Sequence, residues 1–121
     1  MIPADRLGGA GSLVRMSDIP QIDVAELSRR CAQGAPLVDV REQHEFSKAR
    51  VPGATLIPLG EIVERVDEVP RDATVYVICA SGSRSARAVQ HLRSVGVDAV
   101  NVAGGTIGWI NAGLPVDADA G

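Results

Sequence analysis

Thr74-Val75-Tyr76-Val77-Ile78-Cys79-Ala80-Ser81-Gly82-Ser83-Arg84-Ser85 is the stretch that decides how this chain folds. Its first five residues form the most continuously apolar run of the sequence, which predicts a central strand covered on both faces. The run ends on Cys79, and small residues carry the chain on to Ser83. From residue 83 to residue 95, Ala88, Leu92 and Val95 recur on one helical face, with Gly96 as the stop. A buried strand thus delivers a thiol to a small-residue loop that a helix closes. The backbone N–H groups of such a loop can point inward as an anion-binding nest, and the helix adds its positive N-terminal end. Both stabilise a thiolate, the reactive form of cysteine.

The same alternation extends in both directions. Residues 19–22 read as a short first strand. Asp23-Val24-Ala25-Glu26 has capping-box spacing, with Asp in place of Ser or Thr. Val24, Leu27 and Cys31 then form an apolar helix stripe that Gly34 ends. Residues 36–40 read as a strand, 42–48 as a short helix, and 54–57 as a third strand after the turn Val51-Pro52-Gly53. Ile62, Val66 and Val69 predict a helix over 61–69, ended by Pro70. Residues 98–102 form the last strand, and Gly104-Gly105 turns into a closing helix through Trp109 and Ile110. Strands alternating with helices predict an α/β domain with a mainly parallel sheet. Ligands of such sheets bind beyond the carboxyl ends of the strands, where Cys79 sits. Residues 17–116 are expected to form this one domain. Residues 1–16 read as a flexible tail, with Met16 a possible natural start, and 117–121 as a frayed C-terminal tail.

Bulk properties narrow the function. The chain has 121 residues, enough for one real core, and a net charge of −3, which offers no basic face for nucleic acid. Phe46, Tyr76 and Trp109 are its only aromatic residues, too few for base-stacking platforms. No apolar run reaches transmembrane length and no signal peptide is evident, so no membrane partner is expected. Two cysteines do not suggest a disulfide framework, and a cytoplasmic location is expected, where Cys79 would stay reduced. No His–Cys spacing suggests a metal site, and no cofactor is expected.

Five motifs, in order, resemble one family. Leu37-Val38-Asp39-Val40-Arg41-Glu42 resembles the D-V-R-E signature of rhodanese domains, and Glu45-Phe46 their acidic–aromatic pair. Val51-Pro52-Gly53-Ala54 is similar to their I-P-G-A turn, and Cys79 to Ser85 to their catalytic loop. Gly104-Gly105 with Trp109, then Gly113-Leu114-Pro115-Val116, resembles their C-terminal signature. The resemblance covers residues 21–116. It implies a three-layer fold with a central, mostly parallel five-stranded sheet flanked by helices on both faces. It also implies sulfurtransfer, in which Cys79 takes a sulfane sulfur from a donor such as thiosulfate and holds it as a persulfide. A thiophilic acceptor, cyanide or a thiol, then removes it, and a protein acceptor is also open. In that chemistry the backbone of Ala80, Ser81, Gly82, Ser83, Arg84 and Ser85 binds the anionic sulfur, with Arg41, Arg50 and Trp109 as further substrate-binding candidates.

Loop length separates this reading from its neighbours. Four residues lie between Cys79 and Arg84, whereas the related cell-cycle phosphatases and arsenate reductases have five, enough to wrap a tetrahedral oxyanion. The shorter loop fits one sulfur atom. Two positions depart from the family pattern: Ala80 stands where many active members carry Arg or Lys, and Arg50 where a His is frequent. Other readings compete at single residues. The Asp39–Arg41 pair is better explained as structural, because buried charges must be paired, although Arg41 could still face the pocket. Cys31 reads as core, His44 as a surface residue, and His91 as structural or solvated. Trp109 is either plain core or a wall of the pocket. A persulfide carrier or a regulatory module of the same family remains the alternative to an enzyme.

Overall fold

The computed structural model describes residues 18–120, so the segment read as an N-terminal tail lies outside the described residues. Five strands, β1 (Gln21–Ile22), β2 (Leu37–Asp39), β3 (Thr55–Leu56), β4 (Val75–Ile78) and β5 (Ala99–Val102), form one sheet. Their order is β1-β5-β4-β2-β3, and every neighbouring pair is parallel. Among the described residues four helices accompany them: α1 (Val24–Ala32), α2 (Gln43–Lys48), α3 (Ser83–Ser94) and α4 (Gly105–Asn111). All four residues of β4 are buried, as its unbroken apolar run requires of the middle strand.

Side-chain alternation divides the core into two layers. Val75, Val77 and Cys79 face one way and pack with Val38 and Val40 of the β2 region and with Ala88, Val89 and Leu92 of α3. Tyr76 and Ile78 face the other way, toward Leu27 of α1 and Trp109 of α4. The three-layer α/β expectation is met. Cys79 extends the alternation of β4 onto the α3 side, where the helix that follows it begins.

Several local expectations are corrected. Residues 61–69 form no continuous helix but two 3-10 turns, Leu59–Glu61 and Val66–Glu68. Ile62 and Val69 are buried and Val66 is partly buried, so the apolar spacing is real. Four β-branched residues in eight positions, with Gly60 before them, disfavour a longer helix. At Asp23 only half a capping box forms: its carboxylate accepts from the Glu26 N–H at 2.8 Å, while the Glu26 side chain pairs forward with Arg29 and Arg30. Val95, expected on the apolar face of α3, is its C-cap and 38% exposed, and Gly96 makes the stop at φ +91°.

The C-terminal stretch read as frayed is fastened at Asp117 and Asp119. Asp117 forms an antiparallel bridge with Arg50, with N–H to carbonyl distances of 2.8 and 2.9 Å. The Asp119 N–H donates to the Ser47 carbonyl at 2.9 Å.

Leu92 is fully buried between α3 and the sheet. Leu92→Ala is expected to lower stability by about 2–5 kcal/mol, read as a reduced midpoint of urea unfolding. A loss below about 1 kcal/mol would show that the α3 layer is loosely packed.

Candidate active site

Cys79 follows β4 directly and is fully buried. What shapes the loop after it is the start of α4. The Cys79 carbonyl accepts from the Thr106 N–H at 2.9 Å and from the Thr106 hydroxyl at 3.0 Å, and the Ala80 carbonyl accepts from the Ile107 N–H at 3.0 Å. With these carbonyls held outward, the amides that follow are free to face the sulfur. Gly105 permits the approach, because a Cβ there would overlap the Ala80 carbonyl and come within 2.7 Å of the Cys79 carbonyl oxygen. Gly82 then turns the chain into α3 at φ +113°.

The Gly82 N–H donates to Cys79 Sγ at 3.1 Å, and Ser85 Oγ lies 3.3 Å from it. Burial is the largest single influence on the thiol and pushes its pKa up. The Ser85 hydroxyl and the backbone N–H groups of Ser85, Gly82 and Ser81 outweigh it, and the pKa ends below its ordinary value. The arrangement can therefore stabilise a thiolate with backbone amides and a hydroxyl. Cys31, on the other side of the sheet, has its pKa raised by burial, which suits a packing residue.

Of the loop residues, Ser81, Gly82 and Ser85 present hydrogen-bonding groups to Cys79 Sγ, and the charged and aromatic candidates are engaged elsewhere. The Arg84 guanidinium makes two bonds to the Glu45 carboxylate, at 2.8 and 2.9 Å, and so ties α3 to α2. Its pKa is raised chiefly by Glu45, with a smaller contribution from the Cys79 charge. Arg41 is buried against Asp39, with bonds of 3.0 and 2.8 Å, and also donates to the Ala49 carbonyl. Arg50 stacks 4.7 Å over the Phe46 ring and pairs with Asp119 at 2.9 Å. Trp109 is buried on the opposite side of the sheet from the Cys79 side chain, and its indole N–H donates to the Pro115 carbonyl at 2.6 Å. Trp109 is thus core, and Arg41 and Arg50 fasten loops.

Sequence reasoning missed Asn101. It lies in β5 among apolar neighbours, is buried, and its Oδ1 is 2.6 Å from Ser85 Oγ. A single amide inside an otherwise apolar strand was the available signal, because a buried amide must find partners. A cavity of about 590 Å³ between α3 and the 3-10 segment, lined by Ile62, Val63, Arg87 and His91 among others, does not include the loop.

The fold and the loop define a parallel α/β domain that presents a stabilised thiol at the carboxyl edge of its sheet. A model of the rhodanese-like domain matches residues 23–112, and the chain belongs to that family. It is 37% identical over 106 residues to a sulfurtransferase of Allochromatium vinosum, covering 85% of this chain and 99% of that protein. It is 40% identical over 93 residues to the adenylyltransferase and sulfurtransferase uba4 of Ogataea parapolymorpha, covering 74% of this chain but only 23% of that longer protein. Among solved structures, a rhodanese-related protein of Thermoplasma volcanium matches with a TM-score of 0.78 at 35% identity, covering 83% of this chain and 99% of that one.

Glu45 gives a pH signature. The Arg84 pairing, its largest influence, holds the carboxyl at about 2, below its ordinary 4.5. A lowered folded-state pKa contributes stability that is complete above the unfolded value and lost as pH falls through the folded one. Glu45→Gln is expected to unfold at a lower temperature than wild type at pH 7, and the two melting curves should converge between about pH 5 and pH 2. A gap that stays constant across that range would remove Glu45 as its source.

Proposed function

We propose that this protein is a sulfurtransferase that carries a sulfane sulfur on Cys79. The observation that carries the reading is the set of donors around Sγ, from Gly82 at 3.1 Å and Ser85 at 3.3 Å, on a cysteine that is itself buried. The Cys79 thiolate attacks the outer sulfur of a donor such as thiosulfate. A Cys79–S–S⁻ persulfide forms, the donor's S–S bond breaks, and its electron pair leaves with sulfite. The charge now lies on the outer sulfur, where the N–H groups of the loop can hold it as an oxyanion hole holds an oxyanion. An acceptor, cyanide or a thiolate, takes that outer sulfur and returns the Cys79 thiolate. A carrier serving a protein acceptor would use the same two steps.

Phosphoryl or arsenate chemistry is less well supported. The loop has four residues between Cys79 and Arg84, and the arginine that would clamp a tetrahedral oxyanion is occupied by both oxygens of Glu45. Among the described residues no helix is long and apolar enough to cross a membrane. We place the protein in a reducing compartment such as the cytoplasm, which keeps Cys79 as a free thiol.

Incubation with thiosulfate should add the mass of one sulfur atom, and reductant should remove it. Cys79→Ser should take no sulfur and lose at least roughly a thousandfold in turnover, while Cys31→Ser keeps most of it. Sulfur uptake by folded Cys79→Ser protein would overturn the assignment.

Ala80→Arg tests donor recognition. The guanidiniums of Arg41, Arg50 and Arg84 are each paired with a carboxylate, so a new cation beside the loop should favour the dianionic donor. The expected gain in kcat/KM for thiosulfate is roughly three- to tenfold, the worth of one partly exposed charged contact. A less charged sulfane donor should gain less, and an equal gain for both would rule out charge as the cause.

A further inference from the structure

Asn101 lies on the α3-facing side of β5, in register with Gln21 of β1 and Val77 of β4. Its Nδ2 donates to Gln21 Oε1 at 2.9 Å and to the Gly82 carbonyl at 3.2 Å. Turning the amide over would set its oxygen against the Gly82 carbonyl, an acceptor that cannot turn with it, so Oδ1 is directed toward Ser85. Ser85 Oγ lies 2.6 Å from that oxygen and 3.3 Å from Cys79 Sγ. A hydroxyl has one proton and cannot give it to both. While Cys79 is a thiol, its S–H can donate to Ser85 and Ser85 to Asn101, and each group in the chain is satisfied. When Cys79 ionises, the Ser85 proton turns to Sγ, and Asn101 Oδ1 loses its donor in a buried position, where an unpaired acceptor is costly.

We propose that Asn101 is a positioning residue that, through Ser85, favours the states of Cys79 in which Sγ carries no charge. One such state is the thiol. The other, which rests on the sulfurtransfer reading above, is the persulfide, where Sγ is the neutral inner sulfur and the charge sits one atom further out. Loading, Cys79–S⁻ plus thiosulfate giving Cys79–S–S⁻ plus sulfite, moves charge off Sγ and returns the Ser85 proton to Asn101. Discharge reverses both. The backbone N–H groups make the thiolate accessible, and Asn101 opposes them, so that the protein rests on the loaded side.

The charged groups around Cys79 are Arg84 of α3 with Glu45 of α2, and the Asp39–Arg41 pair at the end of β2. The facing groups of β5 and α4, Asn101 and Thr106, are neutral. All of these except Asn101 are unchanged in the Asn101 variants below. Asn101→Val and Asn101→Leu remove the acceptor without stranding its partners. The Gly82 carbonyl keeps its bond from the Ala86 N–H at 3.2 Å, and Gln21 is open to water.

The thiolate pKa, read from ultraviolet absorbance of the Cys31→Ser protein, is expected to fall by about half to one unit in either Asn101 variant. Ser85→Ala should raise it, and in the Ser85→Ala background the Asn101 change should have no effect. A merely structural role for Asn101 would not depend on Ser85 in this way. In mixtures of thiosulfate and sulfite, intact mass should show the loading equilibrium shifted about three- to tenfold toward unloaded protein. Gln21→Leu, at an exposed edge, loosens the same amide without touching the core and should lower the pKa by a smaller amount. A pKa that rises or stays put in the Asn101 and Gln21 variants, or an Asn101 effect that survives without Ser85, overturns the proposal. If wild-type protein takes no sulfur from any sulfane donor, the sulfurtransfer reading fails, and the titrations still decide the role of Asn101.

Discussion

The contact between the start of α4 and the end of β4 sets the rest of the site. Two carbonyls, those of Cys79 and Ala80, are held by the Thr106 and Ile107 amides and the Thr106 hydroxyl. Peptide planarity converts that restraint into an orientation for the amides that follow. The inward nest around Sγ therefore depends on residues more than twenty positions away in sequence. Gly104 and Gly105 belong to this mechanism. Gly104 turns the chain at positive φ, and Gly105 has no side chain to block the approach.

A second layer of restraint surrounds the first. Glu45 joins the N-terminal ends of α2 and α3, since one of its oxygens accepts from both the Glu42 N–H and Arg84. Asp39 and Arg41 join the end of β2 to the carbonyls of Glu45 and Ala49. Each arginine near the loop is thus matched by a carboxylate, and the field at Cys79 comes mainly from oriented amides and hydroxyls. Such dipoles need no counter-ion and, in the proposed sulfurtransfer, suit a group whose charge shifts by one atom.

Much of this was legible in the sequence, for identifiable reasons. The unbroken run before Cys79 fixed the central strand, and the small residues after it fixed the loop, because each pattern has few other physical solutions. Side-chain pairing was the hard part. Arg50, Arg84 and Trp109 occupy motif positions, yet their partners, Asp119, Glu45 and Pro115, come from packing that no spacing rule reports. The helix expected over 61–69 failed because apolar spacing alone does not distinguish an α-helix from a chain of tight turns when β-branched residues fill it. Asn101 escaped because one amide in a strand carries no periodicity.

The sheet order also bears on when the site comes into being during synthesis. Among the described residues β1 stands at one edge of the sheet beside β5, so Gln21 meets Asn101 across eighty positions of chain. On a ribosome, the pairing of β1 with β5 waits until residues 99–102 have emerged, and α4, which orients the loop, follows later still. A nascent chain that has already made β2, β4 and α3 therefore carries Cys79 without the α4 bonds to its loop and without Asn101 beside Ser85. The surroundings of the thiol are completed late, and the bridge from Asp117 to Arg50 can close only after them.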